Sequence, residues 1–454
     1  MVGGFGGTQV GGQGTGGGDA GGAGQSAGGP SVEPGCEGAH VSAGNVRLEA
    51  QGDVEALRDI NEIEGSLAIT GGIFDLRALE CLERVTGKVT ITDAPALQSL
   101  RGLESLVKVG GDVRIGNLPA LNALTGLSAL TTVGGTIAIS SNPKLTSLQG
   151  LAALSEVAGG VTVANNVSLS SLSGIEALED VGWITVSDNP ALTDLEALAR
   201  IDDTFVSVYK NEALRSLEGL RGLKHASVNV YGNPRLESVA GLRNLTEASV
   251  LQLFSMPGLT SLHGLENLQT VGDLFVVELG ITDLRGLDGL ERGSGNLQIS
   301  NHLSLASLAG LEQLKFAQRL YLGACPKLAS LQGLSGLEEA GRLDLVDTSV
   351  ADLEGLDSLT RLGTLVVSDN PQVSSLRGLE QVRGLDGDLT VTSNARLSTL
   401  HALDALDHVG GAFVITDNPS LPTCEAERLR DLVGTTHIGL PPEIDGNDDS
   451  GVCP

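Results

Sequence analysis

A chain of 454 residues carrying 63 glycines and only 2% aromatics must build its core from small aliphatic side chains. Its 28 basic against 56 acidic residues give a net charge of −28, which makes nucleic acid an unsuitable partner, because phosphates would be repelled rather than neutralised. No run of eighteen apolar residues occurs, so no segment reads as a membrane-spanning helix.

Residues 1–35, MVGGFGGTQVGGQGTGGGDAGGAGQSAGGPSVEPG, offer too little apolar surface to fold and are expected to be a flexible tether. Residues 36–65 are expected to cap the body and form its first coil. Residues 66–423 hold a repeat. Between Leu76 and Leu400 one phrase starts fifteen times, a leucine-class residue followed by two more at three-residue intervals. Examples are Leu76-Leu79-Leu82, Leu148-Leu151-Leu154 and Leu400-Leu403-Leu406, with copies 22 to 24 residues apart. A period of this length means stacked supersecondary units sharing one continuous core.

Within residues 135–158, Ile137 and Ile139 alternate with Ala138 and Ser140, the pattern of a strand with one face buried. Asn142-Pro143 then turns the chain, Leu145 and Leu148 point inward, and Gly150 permits a second bend. Leu151, Leu154 and Val157 close the coil. One strand per coil requires parallel pairing between neighbours. Sixteen such coils at about 4.8 Å would extend on the order of 75 Å.

Two columns run along this stack. At the turn, Asn142, Asn166, Asn189, Asn211, Asn233, Asn370, Asn394 and Asn418 recur, where a buried amide can pair backbone groups the turn leaves open. Cys325 falls in this column and reads as a buried free thiol. The outward strand position runs from Ala68 and Thr90 to Thr390 and Val414, and only Arg114 and Asp344 in it are charged, ten coils apart. The position two residues later holds no charge from Thr70 to Thr416. Histidines do not recur at metal-ligand spacing. No catalytic residues, metal site or cofactor are therefore expected, and the chain does not read as an enzyme.

The face is instead distinguished by aromatics. Tyr209, Tyr231, Phe254 and then Val277 follow each other in consecutive coils, where most coils have Thr, Ser, Gly or Ala; Phe275 and Tyr321 join from the adjacent column. Two readings stay open. One is cross-strand stacking that stabilises the sheet. The other is a ligand platform made by Tyr209, Tyr231, Phe254 and Phe275, with Asn229 and Gln252 supplying hydrogen bonds. The lack of nearby charge argues against ionic ligands, and Trp183, at the coil restart, reads as an edge filler.

Residues 424–454 form a C-terminal cap. Thr423 is placed to N-cap a helix through about Val433, with Leu429 and Leu432 facing the last coil. Cys424 and Cys453 bracket this segment, and a disulfide between them would pin it over the open core. The tail DGNDDSG lacks the spacing of a calcium loop and reads as a polar turn.

The phrases GTIAISSNPKLTSLQGLAALSEVAGG, DLTVTSNARLSTLHALDALDHVGG and AFVITDNPSLPTCEAERLRDLVG resemble receptor L-domain repeats, a type related to leucine-rich repeats, over about residues 36–454. The resemblance implies a mainly β, right-handed parallel solenoid, capped at both ends, whose strand face binds protein or glycan. Bacterial surface lipoproteins with Gly-rich leaders carry such repeats. That implies an extracytoplasmic place at the bacterial cell surface or outer membrane, with an export signal or lipid anchor expected upstream of Met1. The family also pairs an early cysteine with one in the first coil. Here the nearest partner for Cys36 is Cys81, one coil late. The function expected is an extracytoplasmic recognition module for an extracellular protein or glycan; the alternative is a structural spacer or coat with no specific ligand.

Overall fold

In the computed structural model each leucine phrase is a tight turn in which every third residue faces the same way. Leu79 N–H donates to Leu76 O, Leu103 to Leu100, Leu106 to Leu103, and so on along the chain. Hydrogen bonds from residue i+3 to residue i give three residues per turn. The three-residue leucine spacing therefore sets all members of a phrase on one line, and that line is buried. At Gly150 the backbone adopts φ +115°, and a Cβ there would overlap the Leu124 carbonyl of the preceding coil. Only glycine lets neighbouring coils approach this closely.

The structure describes Cys36 and residues 40–452; the segment 1–35 and Cys453 lie outside the described residues. From Cys36 onward the chain forms one unit, a parallel β-solenoid of about sixteen turns with few helices. Its register is continuous: Arg47 pairs with Ala68, Ala68 with Thr90, Thr90 with Arg114, Arg114 with Ala138 and Ala138 with Thr162. The same column runs on through Asn229, Gln252 and Phe275 to Thr390, Val414 and Glu443. In the early coils a two-residue strand at the restart, such as Arg84–Val85, is separate from the main strand Val89–Thr92. From Glu156–Ala164 onward the two are joined in most coils.

One residue per coil takes the left-handed conformation, inside the strand at Ser255, Glu278, Ala324 and Asp347 and just past its end in the other coils. Asp93, Asn117, Ser141, Asn165, Asp188, Lys210, Ser255, Glu278, Asn301, Ala324, Asp347, Asp369, Ser393 and Asp417 all have φ between 49° and 60°. Asp and Asn dominate because their short polar side chains tolerate this region.

The asparagine column is a buried ladder. Asn142, Asn166, Asn189 and Asn211 each donate a backbone N–H to the side-chain oxygen of the next asparagine, at 3.0, 3.0, 3.2 and 2.9 Å. Each amide nitrogen reaches back to a strand carbonyl of the preceding coil, as Asn211 does to Val186 O at 3.0 Å. The ladder resumes at Asn370 and Asn394 and gains a rung beyond Asn418, whose N–H donates to Asn447 Oδ1 at 3.2 Å. Between these stretches the column holds Met256, Leu279, His302, Cys325 and Thr348, all buried. Cys325 is a free thiol whose Sγ lies 3.3 Å from Gly323 O, and burial pushes its pKa up.

Both ends are covered. Strands Val41–Ala43 and Val46–Leu48 and the short helix Gln51–Glu55 close the first coil, and Cys36 is disulfide-bonded to Cys81 with a Cα–Cα separation of 5.4 Å. The late partner is thus the one used. At the other end helix Thr423–Val433 lies over the core with Ala426, Leu429 and Val433 buried. Two expectations are corrected here. Leu432 is exposed, because the helical repeat sets Val433, four residues from Leu429, on the inner face. Thr423 is the first helical residue rather than its cap, and its hydroxyl pairs with Asp449 Oδ1 at 2.6 Å. Cys424 is disulfide-bonded. No helix among the described residues is long and apolar enough to cross a membrane.

Candidate functional site

Alternation along each main strand sends every second residue outward, so the face carries three columns. The middle one holds Asn229, Gln252 and Phe275, register partners in consecutive coils. The column after it holds Tyr209, Tyr231 and Phe254, also in register. Their rings stack with centroids 4.6 Å apart in both pairs and interplanar angles of 4° and 5°. Strand spacing is close to the preferred separation of offset-stacked rings, so each ring covers its neighbour's face. Both faces of Tyr231 are covered in this way, while Tyr209 and Phe254 each have one face turned to a ring and the other toward Ser187 and Val277. Burial, and then the Tyr209 ring's proximity, raise the Tyr231 pKa.

Phe275 is not a fourth member of that stack. It pairs in register with Gln252 and Gln298 and lines a cavity of about 290 Å³ with Asn296, Leu297, Gln298, Arg319 and Tyr321. Asn229 and Gln252 lie side by side between the two groups, and Asn229 Oδ1 is buried without a hydrogen-bond partner.

The third column, two residues before the middle one, changes the picture of the face. Trp183 stands in it and pairs in register with Gly160 and Phe205. A Cβ at Gly160 would overlap the indole, so the ring lies on bare backbone. Trp183 is 36% exposed and Phe205 is 42% exposed. The tryptophan is therefore on the strand face, not an edge filler. The sequence signal is a two-residue offset from Thr185 and Ser207 in the middle column. Six of the chain's eleven aromatics fall on the face between Trp183 and Phe275.

The same column supplies charge. Arg319 and Arg342 pair in register, and both hold Asp344. Arg319 Nε donates to Asp344 Oδ2 at 3.1 Å, and Arg342 Nε contacts both carboxylate oxygens at 2.8 and 2.9 Å. The Asp344 side chain is 4% exposed. Charge does converge here within two coils, against the expectation that Asp344 stands alone. The carboxylate is sheathed by two guanidiniums and has no free edge to act as a base, so the cluster is built for holding, not for proton transfer. The signal missed is the repeated phrase Arg-Leu-x-Leu in RLYL and RLDL. Arg114 lines a wider groove of about 550 Å³ with Lys88, Thr90, Asp112 and Asn117. Lys88 already pairs with Asp112 at 2.6 Å, and Thr136 N–H adds a second bond, which together lower the Asp112 pKa. No cluster of metal-ligating side chains is present among the described residues.

No protein-family model matches the chain, and no curated protein resembles it. Among solved structures it is similar to an internalin from Listeria monocytogenes, at 16% identity over 73% of this chain and 86% of that one, with a TM-score of 0.34. A leucine-rich-repeat protein of Leptospira interrogans shares 15% identity over 87% of this chain and 99% of that one, with a TM-score of 0.36. TLR13, in a complex with ssRNA13, shares 15% identity over 90% of this chain and 80% of that one, at a TM-score of 0.26. These neighbours are leucine-rich-repeat proteins. The assignment of this chain as a parallel solenoid rests on its own continuous register.

Proposed function

We propose that the protein is an extracytoplasmic recognition module whose strand face, between Trp183 and Phe275, binds an extracellular protein. The observation that carries the reading is the concentration of Trp183, Phe205, Tyr209, Tyr231, Phe254 and Phe275 on one stretch of the face, with Trp183 and Phe205 exposed; exposed apolar patches mark binding sites, and aromatics dominate hot spots. The stacked geometry favours a protein over a glycan. Sugar rings bind flat aromatic faces, and in the stack both faces of Tyr231 and one face each of Tyr209 and Phe254 are taken up by neighbouring rings. Edges and hydroxyls suit an apolar protein segment with polar groups beside it, which Asn229 and Gln252 can meet. The disulfide Cys36–Cys81 and the bonded state of Cys424 support an oxidising compartment.

The test is a panel of extracellular proteins screened against the full chain alongside a glycan array. Truncating a hot-spot aromatic costs about 2 kcal/mol or more, so Tyr231→Ala and Phe254→Ala should each weaken a protein hit at least tenfold. Thr90→Ala and Thr390→Ala, on the same face but remote, should leave it unchanged. Binding by glycans alone moves the reading to saccharide ligands. Equal binding by all four variants reduces the stack to sheet packing and favours a structural spacer, the reading that the mutual burial of the rings itself supports.

A further inference from the structure

We infer that Arg319, fixed by Asp344 and accompanied by Arg342, is an anion subsite that takes a carboxylate carried beside an aromatic or apolar ring. On the protein-binding reading of this face, the group it would accept is an acidic side chain in an otherwise apolar partner segment.

The geometry has three parts. First, the arginine is held in place. Its Nε is committed to Asp344, while neither of its terminal nitrogens has a hydrogen-bond partner among the described residues. A guanidinium pinned through Nε keeps its Nη fork free, and that fork matches the two oxygens of a carboxylate. Second, the Arg319 charge has only a shared counter-ion. Two guanidiniums share the buried Asp344 carboxylate, and the further carboxylate, Asp388, acts on Arg342 rather than on Arg319. The side chains of Arg319 and Arg342 are 45% and 38% exposed. Arg342 is occupied by bidentate contact with Asp344, which leaves Arg319 as the open donor. Third, the fork belongs to a cavity with a matching wall. The space of about 290 Å³ beside Arg319 is bounded by Phe275 and Tyr321 as well as by Asn296 and Gln298, with the buried Leu297 beneath it. It is near the lower end of the size of small-ligand sites, and its mixed lining is that of a site with a few placed polar groups. Tyr321 is fixed over Gly323, where a Cβ would overlap its ring and hydroxyl. Asn296 is likewise occupied, its N–H and amide donating to Asp273 Oδ1 at 2.8 and 3.2 Å.

This subsite gives the aromatic face a polarity. Phe275 is shared between the aromatic region and the Arg319 cavity, so a partner laid across the strands would place apolar groups over Tyr231 and Phe254 and its negative charge near Arg319. On a molecule of net charge −28, long-range repulsion disfavours a polyanion. A single carboxylate next to a ring avoids most of that repulsion and still finds a short-range fork.

The experiment uses the full chain and three probes: 3-phenylpropionate, its neutral amide, and acetate, titrated by NMR or calorimetry. Phenylpropionate should bind saturably, and at least tenfold more tightly than either the amide or acetate. Arg319→Gln should weaken it at least tenfold. This substitution leaves Asp344 paired with Arg342, so the fold is retained. Arg319→Lys keeps the charge but not the fork and should also weaken binding. Arg114→Gln, on the same face nine coils away, should not. Added salt should weaken the phenylpropionate affinity. Equal binding of the amide, or parent affinity in Arg319→Gln, overturns the carboxylate subsite; equal binding of acetate overturns the ring wall. Tyr231→Ala leaves phenylpropionate binding intact if the subsite is independent of the stack, so the proposed partner site and this subsite can fail separately.

Discussion

Coils from Asn142 to Asn233 and coils from Met256 to Thr348 solve the same backbone problem differently. In the first group each turn is stitched by an amide that accepts one N–H and donates to the coil before it, and the strand Ser227–Tyr231 stops short of the column. In the second group the amide is missing; at Met256, Leu279, Cys325 and Thr348 the strands run two residues further, while at His302 the strand Arg292–Ser300 also stops short and the imidazole takes the amide's place. Glu247–Met256 pairs with Thr270–Leu279 to the last residue, and Phe316–Cys325 reaches Thr348 in the same way. Gly280 and Ser349 then return their N–H groups to Leu259 O and Leu328 O at 2.9 and 3.0 Å. In these four extended coils backbone pairing replaces side-chain pairing. The lesson is that the ladder satisfies groups the turn exposes, and an apolar residue is accepted wherever the sheet itself extends to cover them.

The sharpest way to break this comparison is to disturb each solution in turn. Asn211→Met should destabilise the protein by about 3 kcal/mol, since it strips partners from Asn189 N–H, Val186 O and Tyr209 O in a buried site. Met256→Leu, which keeps an apolar residue where the extended strand already covers the backbone, should change stability by no more than about 1.5 kcal/mol. Chemical denaturation of both variants measures the difference, and equal costs would remove the distinction between the coil types.

His302 gives a smaller, pH-dependent test. It occupies the ladder column fully buried, with Nε2 donating to Val276 O at 2.9 Å and Nδ1 accepting the Leu279 N–H at 3.2 Å. A proton on Nδ1 would face that donor, with the Leu279 carbonyl at 3.3 Å to accept it. Burial holds the folded pKa below the ordinary 6.5, so the unfolded chain takes up the proton first. The stability that His302 contributes is therefore complete above about pH 6.5 and falls as pH drops from there through the folded pKa. His302→Asn should flatten this part of the pH–stability profile; an unchanged profile would assign the slope to other groups.

The smallest expected effect is at Cys325. Its thiol is buried and its pKa is raised, so thiol-alkylating reagent should leave it unmodified in the folded protein and label it only after unfolding. Rapid labelling of native protein would show that the extended coils open locally.

Much of the architecture was legible from residues alone. The outward column from Ala68 to Val414 is in register as read, because a period of two and a leucine spacing of three leave little freedom to slip. The asparagine ladder was legible for the same reason, but its last rung was not: Asn447 follows a helix and has no leucine phrase to mark its place. Trp183 and the Arg319–Arg342 pair were missed because they stand two residues ahead of the column that was followed, across the bend where the coil restarts. Burial of Asp344 could not be read either, since it depends on side chains from two coils closing over one carboxylate. The ring stacking of Tyr209, Tyr231 and Phe254 was one of two open readings. Register made it possible, while ring orientation came only with the coordinates.

The Cys36–Cys81 bond has a mechanical consequence. The two cysteines are 45 residues apart in sequence, and the cross-link places everything between them in a closed loop. Tension applied to the chain ahead of Cys36 would pass through the sulfur bridge and enter the backbone at Cys81. The strands Val41–Ala43, Val46–Leu48 and Leu67–Ile69 would carry none of that load. A parallel stack is vulnerable to peeling from its end, one strand at a time, and this linkage moves the point of pull inward, past the strands that would otherwise peel first.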